Sequence, residues 1–154
     1  MKIRHFLILI SVIIFFSLIQ SLNISFFGVK PNFVLAVFAA ALFFIQEIWE
    51  SVFLLSVASL FLKFSPHPDK DILLFFGIGV LTIIIARYLP WQPLINCLVL
   101  IFVYTFIFYL LLFPYTIISR VFIQEVLYNS FVGSAVFFFL SRLNWGEKKF
   151  GKIN

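Results

Sequence analysis

The sequence predicts an all-α membrane protein of about six transmembrane helices in one bundle. Three observations predict it. The chain of 154 residues is 64% hydrophobic and only 11% charged. Phenylalanine alone occurs 24 times. Apolar runs recur along the chain between short polar or proline-bearing breaks. A soluble domain is about 45–50% apolar and about 25% charged, and a chain of this size has too little interior to bury the difference. Soluble globular, disordered and fibrous classes are excluded, and lipid is the solvent the composition calls for. The single cysteine, Cys97, excludes a disulfide framework and a cysteine-based metal cluster.

A hydrocarbon core about 30 Å thick needs roughly 20 apolar residues per spanning helix. The first span runs from about Ile3 to Leu22, behind Lys2, Arg4 and His5. Its basic start resembles a signal peptide, but Ile19-Gln20-Ser21-Leu22 is a poor cleavage site, so an uncleaved span is expected. Asn23 to Asn32 is a turn segment with Gly28, Lys30 and Pro31. The second span runs from about Phe33 to Ile45. A polar patch follows (Gln46, Glu47, Trp49, Glu50, Ser51), then a short third span from about Val52 to Phe64. Spans two and three form either a tight hairpin or a pair in which one is shorter than the bilayer.

Ser65 to Asp71 (SPHPDKD) is a loop, because two prolines break helices and three charges cluster there. The fourth span runs from about Ile72 to Ala86. Arg87 to Pro93 is the next break, with Tyr88 and Trp91 as interfacial aromatics. The fifth span runs from about Leu94 to Leu112 and ends at Phe113-Pro114-Tyr115. Thr116 to Gln124 is expected to be a connector, and Glu125 to Leu140 the sixth span. Residues 141–154 form a short basic cytoplasmic tail with Arg142, Lys148, Lys149 and Lys152. No internal repeat or linker divides the chain, so residues 1–154 are one transmembrane domain.

The net charge of +5 bears on orientation rather than on nucleic-acid binding. With six spans, the side of the termini holds Lys2, Arg4, Arg87, Arg142, Lys148, Lys149 and Lys152. The other side holds Lys30, Lys63, Lys70 and Arg120. Positive charge concentrates in the cytoplasm, so both termini are expected there.

Catalytic apparatus is not visible: the sequence has no Gly-x-Ser-x-Gly elbow, P-loop or dinucleotide fingerprint. His67, Asp69 and Asp71 share a loop, but three groups flanked by Pro and Lys read as solvated rather than metal-ligating. Glu47 and Glu50 lie one turn apart and could share a proton or a cation; a hydrated interfacial turn is the reading adopted. Glu125 is expected to complement the positive N-terminus of the sixth helix. Arg87 is expected to snorkel to the interface, and Cys97 to act as a small hydrophobe. No enzyme activity, metal or cofactor is expected.

Small residues recur at helical spacing: Ala36 and Ala40, Ser56 and Ser59, Gly77 and Gly79, Ser130 and Ser134 with Gly133. Such spacing lets helices approach closely in lipid, either within the monomer or against another membrane protein. On the sixth span Ser130, Gly133 and Ser134, near polar Tyr128 and Asn129, form a candidate partner interface.

Two segments resemble the rod shape-determining protein MreD family. Lys30-Pro31-Asn32-Phe33-Val34-Leu35 is similar to that family's Arg-Pro-Asp/Asn-hydrophobic entry into its second helix. Val126 to Leu143, followed by a basic tail, is similar to its last helix. The Asp and Gly that the family often carries near the end of its third helix are absent from Ser56 to Pro66. The resemblance implies a non-enzymatic scaffold of the bacterial inner membrane, in the cell-shape and peptidoglycan elongation complex. Its implied partners are MreC, RodA with its penicillin-binding partner, and MreB indirectly, with no nucleic acid. That family resembles in fold the substrate-binding components of energy-coupling-factor vitamin transporters, which supplies the alternative function.

Overall fold

A computed structural model describes residues 3–22, 25, 28–62 and 70–143. Among these, the chain is all-helical. The six α-helices are α1 (Ile3–Ser21), α2 (Phe33–Leu42), α3 (Ile48–Leu62), α4 (Lys70–Ala86), α5 (Pro93–Leu112) and α6 (Arg120–Arg142), with a 3₁₀ turn, Pro114–Thr116, between the last two. Residues 65–69 of the expected SPHPDKD loop and the tail from 144 onward lie outside the described residues, and with them His67 and Asp69, whereas Lys70 and Asp71 open α4 and are not loop.

Three helices, α1, α5 and α6, are long and apolar enough to cross a membrane, fewer than the six spans expected. Helices α2, α3 and α4 are shorter, at 10, 15 and 17 residues. The expected second span breaks early because Phe43 and Phe44 turn, with the Phe44 and Ile45 amides donating to the Ala41 and Leu42 carbonyls. The third helix starts earlier than expected and takes Trp49, Glu50 and Ser51 from the polar patch into its first turn. The sixth also starts earlier: Ser119 caps it by accepting from the Phe122 amide at 3.3 Å, so Arg120 to Gln124 is helix and not connector.

Helix α2 is the axis of the fold. All ten of its residues are buried, and it touches each of the other five α-helices. Around it stand α1, α3, α4, α5 and α6 in that order, each packed on the next. The two ends of this ring, α1 and α6, meet chiefly through α2. Small side chains allow such crowding. Ala36, Ala39, Ala40 and Ala41 are at most 1% exposed. Gly133 of α6 lies against the Ala36 carbonyl and the Ile101 side chain. Phe43 and Phe44 continue the same contact onto the ring of Phe137, at 6.3 and 5.3 Å.

Neighbours along the chain run in opposite directions. Tyr109 meets Glu125 and Thr105 meets Asn129, so α5 and α6 are antiparallel. Asn32, Ala36 and Phe44 meet Glu125, Gly133 and Phe137 in step, so α2 and α6 are parallel. The Phe6 and Phe53 rings meet in a tilted contact at 5.7 Å near the starts of α1 and α3, which are likewise parallel. Outside the ring the surface is strongly apolar. Leu7, Phe15, Leu60, Leu73, Phe102, Leu127, Phe131 and Phe138 are all exposed. A contiguous surface of this kind suits hydrocarbon and not water.

The small-residue pairs divide by role. Gly79 is where Leu55 of α3 closes onto α4, whereas a side-chain carbon at Gly77 would meet nothing within 4 Å. Ser56 and Ser59 donate back to the Val52 and Leu55 carbonyls of their own helix, both at 2.9 Å. Cys97 is fully buried.

Two substitutions test this packing. Gly133→Leu should lower stability by about 1–3 kcal/mol, the usual cost of forcing bulk into a filled interior. Gly77→Ala should be neutral, or stabilising by up to about 1 kcal/mol from helix propensity. Thermal unfolding in detergent, followed by tryptophan fluorescence, reads both. Equal melting of Gly133→Leu and the wild type would mean that α6 does not press on α5 and α2 at that point.

Candidate functional site: a buried polar network beneath a pocket

A helix of 10 residues is about 15 Å long. Buried at the centre of a bundle, its first amides have no water to bind, and each unsatisfied one would cost several kcal/mol in hydrocarbon. Three neighbouring side chains answer this need. The Asn32 side chain accepts from the Leu35 amide at 3.4 Å as the N-cap of α2. Gln20 of α1 accepts from the Val34 amide at 2.9 Å and donates to the Asn32 side chain at 3.1 Å. Glu125 of α6 accepts from the Asn32 backbone amide.

Glu125 is 6% exposed and lies in the second turn of α6. The carboxylate therefore complements the N-terminus of α2, whereas the sequence led us to expect it at the N-terminus of its own helix. The positive end of the α2 dipole still favours it. Tyr109 of α5 donates to Glu125 at 2.6 Å. The Tyr109 ring is fixed by edge contacts with Phe122 at 5.2 Å and Phe113 at 6.1 Å. Asn129, one turn further along α6, donates to Glu125 and also to Thr105 at 3.4 Å. Thr105 in turn donates to the Ile101 carbonyl of its own helix. The network thus ties α1, α2, α5 and α6 at one level.

A pocket of about 470 Å³ opens above it. Gln20, Lys30, Asn32, Tyr109 and Glu125 supply its polar lining, and Phe33, Phe108 and Phe113 its aromatic walls. The pocket lies at the ends of α1 and α5 and the beginnings of α2 and α6, opposite the Ile3 and Arg142 ends of the bundle. At that opposite end Arg87 donates to the Gln46 carbonyl at 3.1 Å, tying the α4–α5 link to the α2–α3 link.

The residues singled out in the sequence are distributed as follows. Lys30 is exposed at the pocket, and Pro31 and Asn32 are buried beneath it. Of the candidate partner interface, Asn129 and Gly133 face the interior, where Thr105, Ile101 and Ala36 occupy them. Tyr128, Ser130 and Ser134 are half-buried. Glu47 is exposed in the link before α3, and Glu50 is half-buried in that helix's first turn. Sequence reasoning did not find Gln20, Thr105 or Tyr109. Their signal was a polar group inside an apolar run, which in lipid marks a partnered position.

Asn32→Ala should lower stability by about 0.5–2 kcal/mol through the lost cap. Tyr109→Phe should cost about 1–3 kcal/mol by leaving a buried acceptor short of a donor. Both changes act on one carboxylate, so the double variant should depart from additivity. Unfolding of the three variants in mixed micelles measures this, and strictly additive losses would rule out a shared network. No family model, curated protein or solved structure matches the chain.

Proposed function

We propose that the chain is an integral membrane scaffold of the bacterial cell-shape and peptidoglycan elongation complex, similar to MreD and without catalytic activity. The observation that carries this reading is where the two family-like segments meet. Lys30-Pro31-Asn32 opens α2, and the stretch from Val126 onward forms most of α6. The central helix α2 and α6 run side by side, joined where Gly133 meets Ala36 and Phe137 meets Phe44. A resemblance confined to two short stretches thus falls on one packed pair.

In this reading all six helices belong to the membrane, with both termini in the cytoplasm of a bacterial inner membrane. The short α2 is compatible with a crossing because irregular backbone is tolerated at membrane depth when protein surrounds it. The segments on either side of α2, 28–32 and 43–47, extend its reach at up to about 3.3 Å per residue. The alternating helix directions and the distribution of Lys and Arg support the same topology. Contacts with MreC, RodA and its penicillin-binding partner, and through them with MreB, fall on the outward stripe of α6. That stripe holds Leu127, Phe131, Ser134 and Phe138, with Ser130 and Tyr128 at its edges. Leu127 and Phe131 are 62% and 76% exposed.

Reporter fusions at Met1 and Asn154 should place both ends in the cytoplasm, and an active alkaline phosphatase at Asn154 would overturn the topology. Phe131→Ala combined with Ser134→Leu should reduce co-purification with MreC, on the order of 1–2 kcal/mol of helix association, while leaving the melting curve unchanged. The pocket favours a second reading, a substrate-binding subunit of an energy-coupling-factor vitamin transporter, which needs a polar cavity between helices. Co-purification with a coupling-factor module instead of MreC or RodA would replace the first reading with the second.

A further inference from the structure

Two helices show the same length between marks of different chemistry. On α6, Arg120 and Arg142 are both exposed and stand about 33 Å apart along the axis. The one charged residue between them, Glu125, is buried. On α5 no charge interrupts about 30 Å of helix from Pro93 to Leu112. Tyr88 and Trp91 stand exposed just before it, and Tyr115 and Ile118 just after it, the last two at 100% and 96%. The α5–α6 pairing of Tyr109 with Glu125, Thr105 with Asn129 and Ile101 with Gly133 carries on to set Arg142 level with Trp91 and Arg120 level with Tyr115. Trp49, exposed at the start of α3, lies at the Tyr88 end, because Arg87 bonds to Gln46 there. A bilayer's hydrocarbon core is about 30 Å thick, and tryptophan, tyrosine and arginine side chains anchor at its two faces. The contacts between α2 and α6 give the depth of α2 on this scale. Its start, at Asn32, is level with Glu125, about 7–8 Å inward of Arg120. The turn after its end, at Phe44, is level with Phe137, about 7–8 Å inward of Arg142.

We propose that the bilayer seats on the chain between two girdles, Tyr115, Ile118 and Arg120 on one face and Trp49, Tyr88, Trp91 and Arg142 on the other. The surface between them fits a lipid layer with a hydrocarbon core about 30 Å thick. Helix α2 then lies wholly within hydrocarbon depth, about 7–8 Å short of either face. The chain enters and leaves this helix below the membrane surface. A carboxylate at that depth needs protein partners, and Glu125 has them in Tyr109, Asn129 and Asn32. The inference rests on the membrane placement of the helices and holds whether the chain is a scaffold or a transporter subunit.

The purified full chain is reconstituted in dioleoyl phosphatidylcholine with one tryptophan at a time, Trp49, Trp91 and Trp145 being otherwise replaced by phenylalanine. Quenching by a nitroxide near the headgroup is compared with quenching by one near the acyl-chain end. Leu127→Trp, Phe131→Trp and Ala135→Trp face outward across the level of α2 and should be quenched more by the deep nitroxide. Trp91 and Tyr115→Trp should be quenched more by the shallow one, so the ratio inverts between the girdles and the middle of the bundle. Shallow readings at Leu127→Trp or Ala135→Trp would bring an end of α2 to the membrane surface and overturn the proposal, as would deep readings at either girdle. Quenching of every probe by aqueous iodide alone would overturn the membrane placement, and the proposal with it. None of these readings depends on MreC or RodA, so the scaffold is tested apart. The unsubstituted chain supplies a second measurement should a variant fail to fold. Its melting temperature should be highest in bilayers of oleoyl chains and lower with both the shorter myristoleoyl and the longer erucoyl chains, because mismatch in either direction costs free energy. A maximum at either extreme would overturn the girdle spacing.

Discussion

The structure depends on one constraint: a short helix sits where no solvent can satisfy its ends. Helix α2 is enclosed on every side, and hydrogen-bond partners for its first amides must come from its own cap and from other helices. Gln20, Asn32 and Glu125 provide them. This fixes the height of α1 and α6 relative to α2, because a slip of either by one turn would withdraw an acceptor from a buried donor. Tyr109 and Asn129 then hold the carboxylate in place, which fixes α5 as well. Close contacts at Gly133 and Gly79 set how near the helices stand, while the polar network sets their register.

Packing and polarity divide the work along the bundle. In lipid, apolar side chains gain little by meeting each other rather than acyl chains, so association rests on close fit and hydrogen bonds. The alanines of α2 supply the close fit. The hydroxyls of Ser56, Ser59 and Thr82 bond to their own helices and leave no polar demand on their neighbours. Polar groups that reach between helices are concentrated at the level of Glu125, where the pocket is also found. The bundle is thus most specific at one end, and at the other it is tied by Arg87 across two links.

Much of this architecture was legible in the sequence. Long apolar runs, Pro66, Pro68 and Pro93, and the Ser65–Asp71 break marked six helices in the right order, because lipid burial and helix breaking are local properties. The ends of α2 and α6 were less legible. Phe43 and Phe44 are as apolar as the helix before them, so composition does not mark where α2 ends. Arg120 to Gln124 looked polar enough for a connector, but the Ser119 cap makes it helix. The role of Glu125 was hidden for a related reason: its partners, Asn32 and Tyr109, come from distant parts of the chain, and single-sequence spacing carries no trace of them. The candidate interface on the last helix mixed inward and outward residues, since small residues look alike whichever side they face.

The arrangement also has a consequence for biogenesis. Helix α2 is made early, yet its N-terminal amide contact at Asn32 lies with Glu125, and its longest packing partner is α6. The polar contact at the start of α2 and its most extensive packing face are thus completed only by the last helix of the chain, so the middle of the fold is finished by its far end.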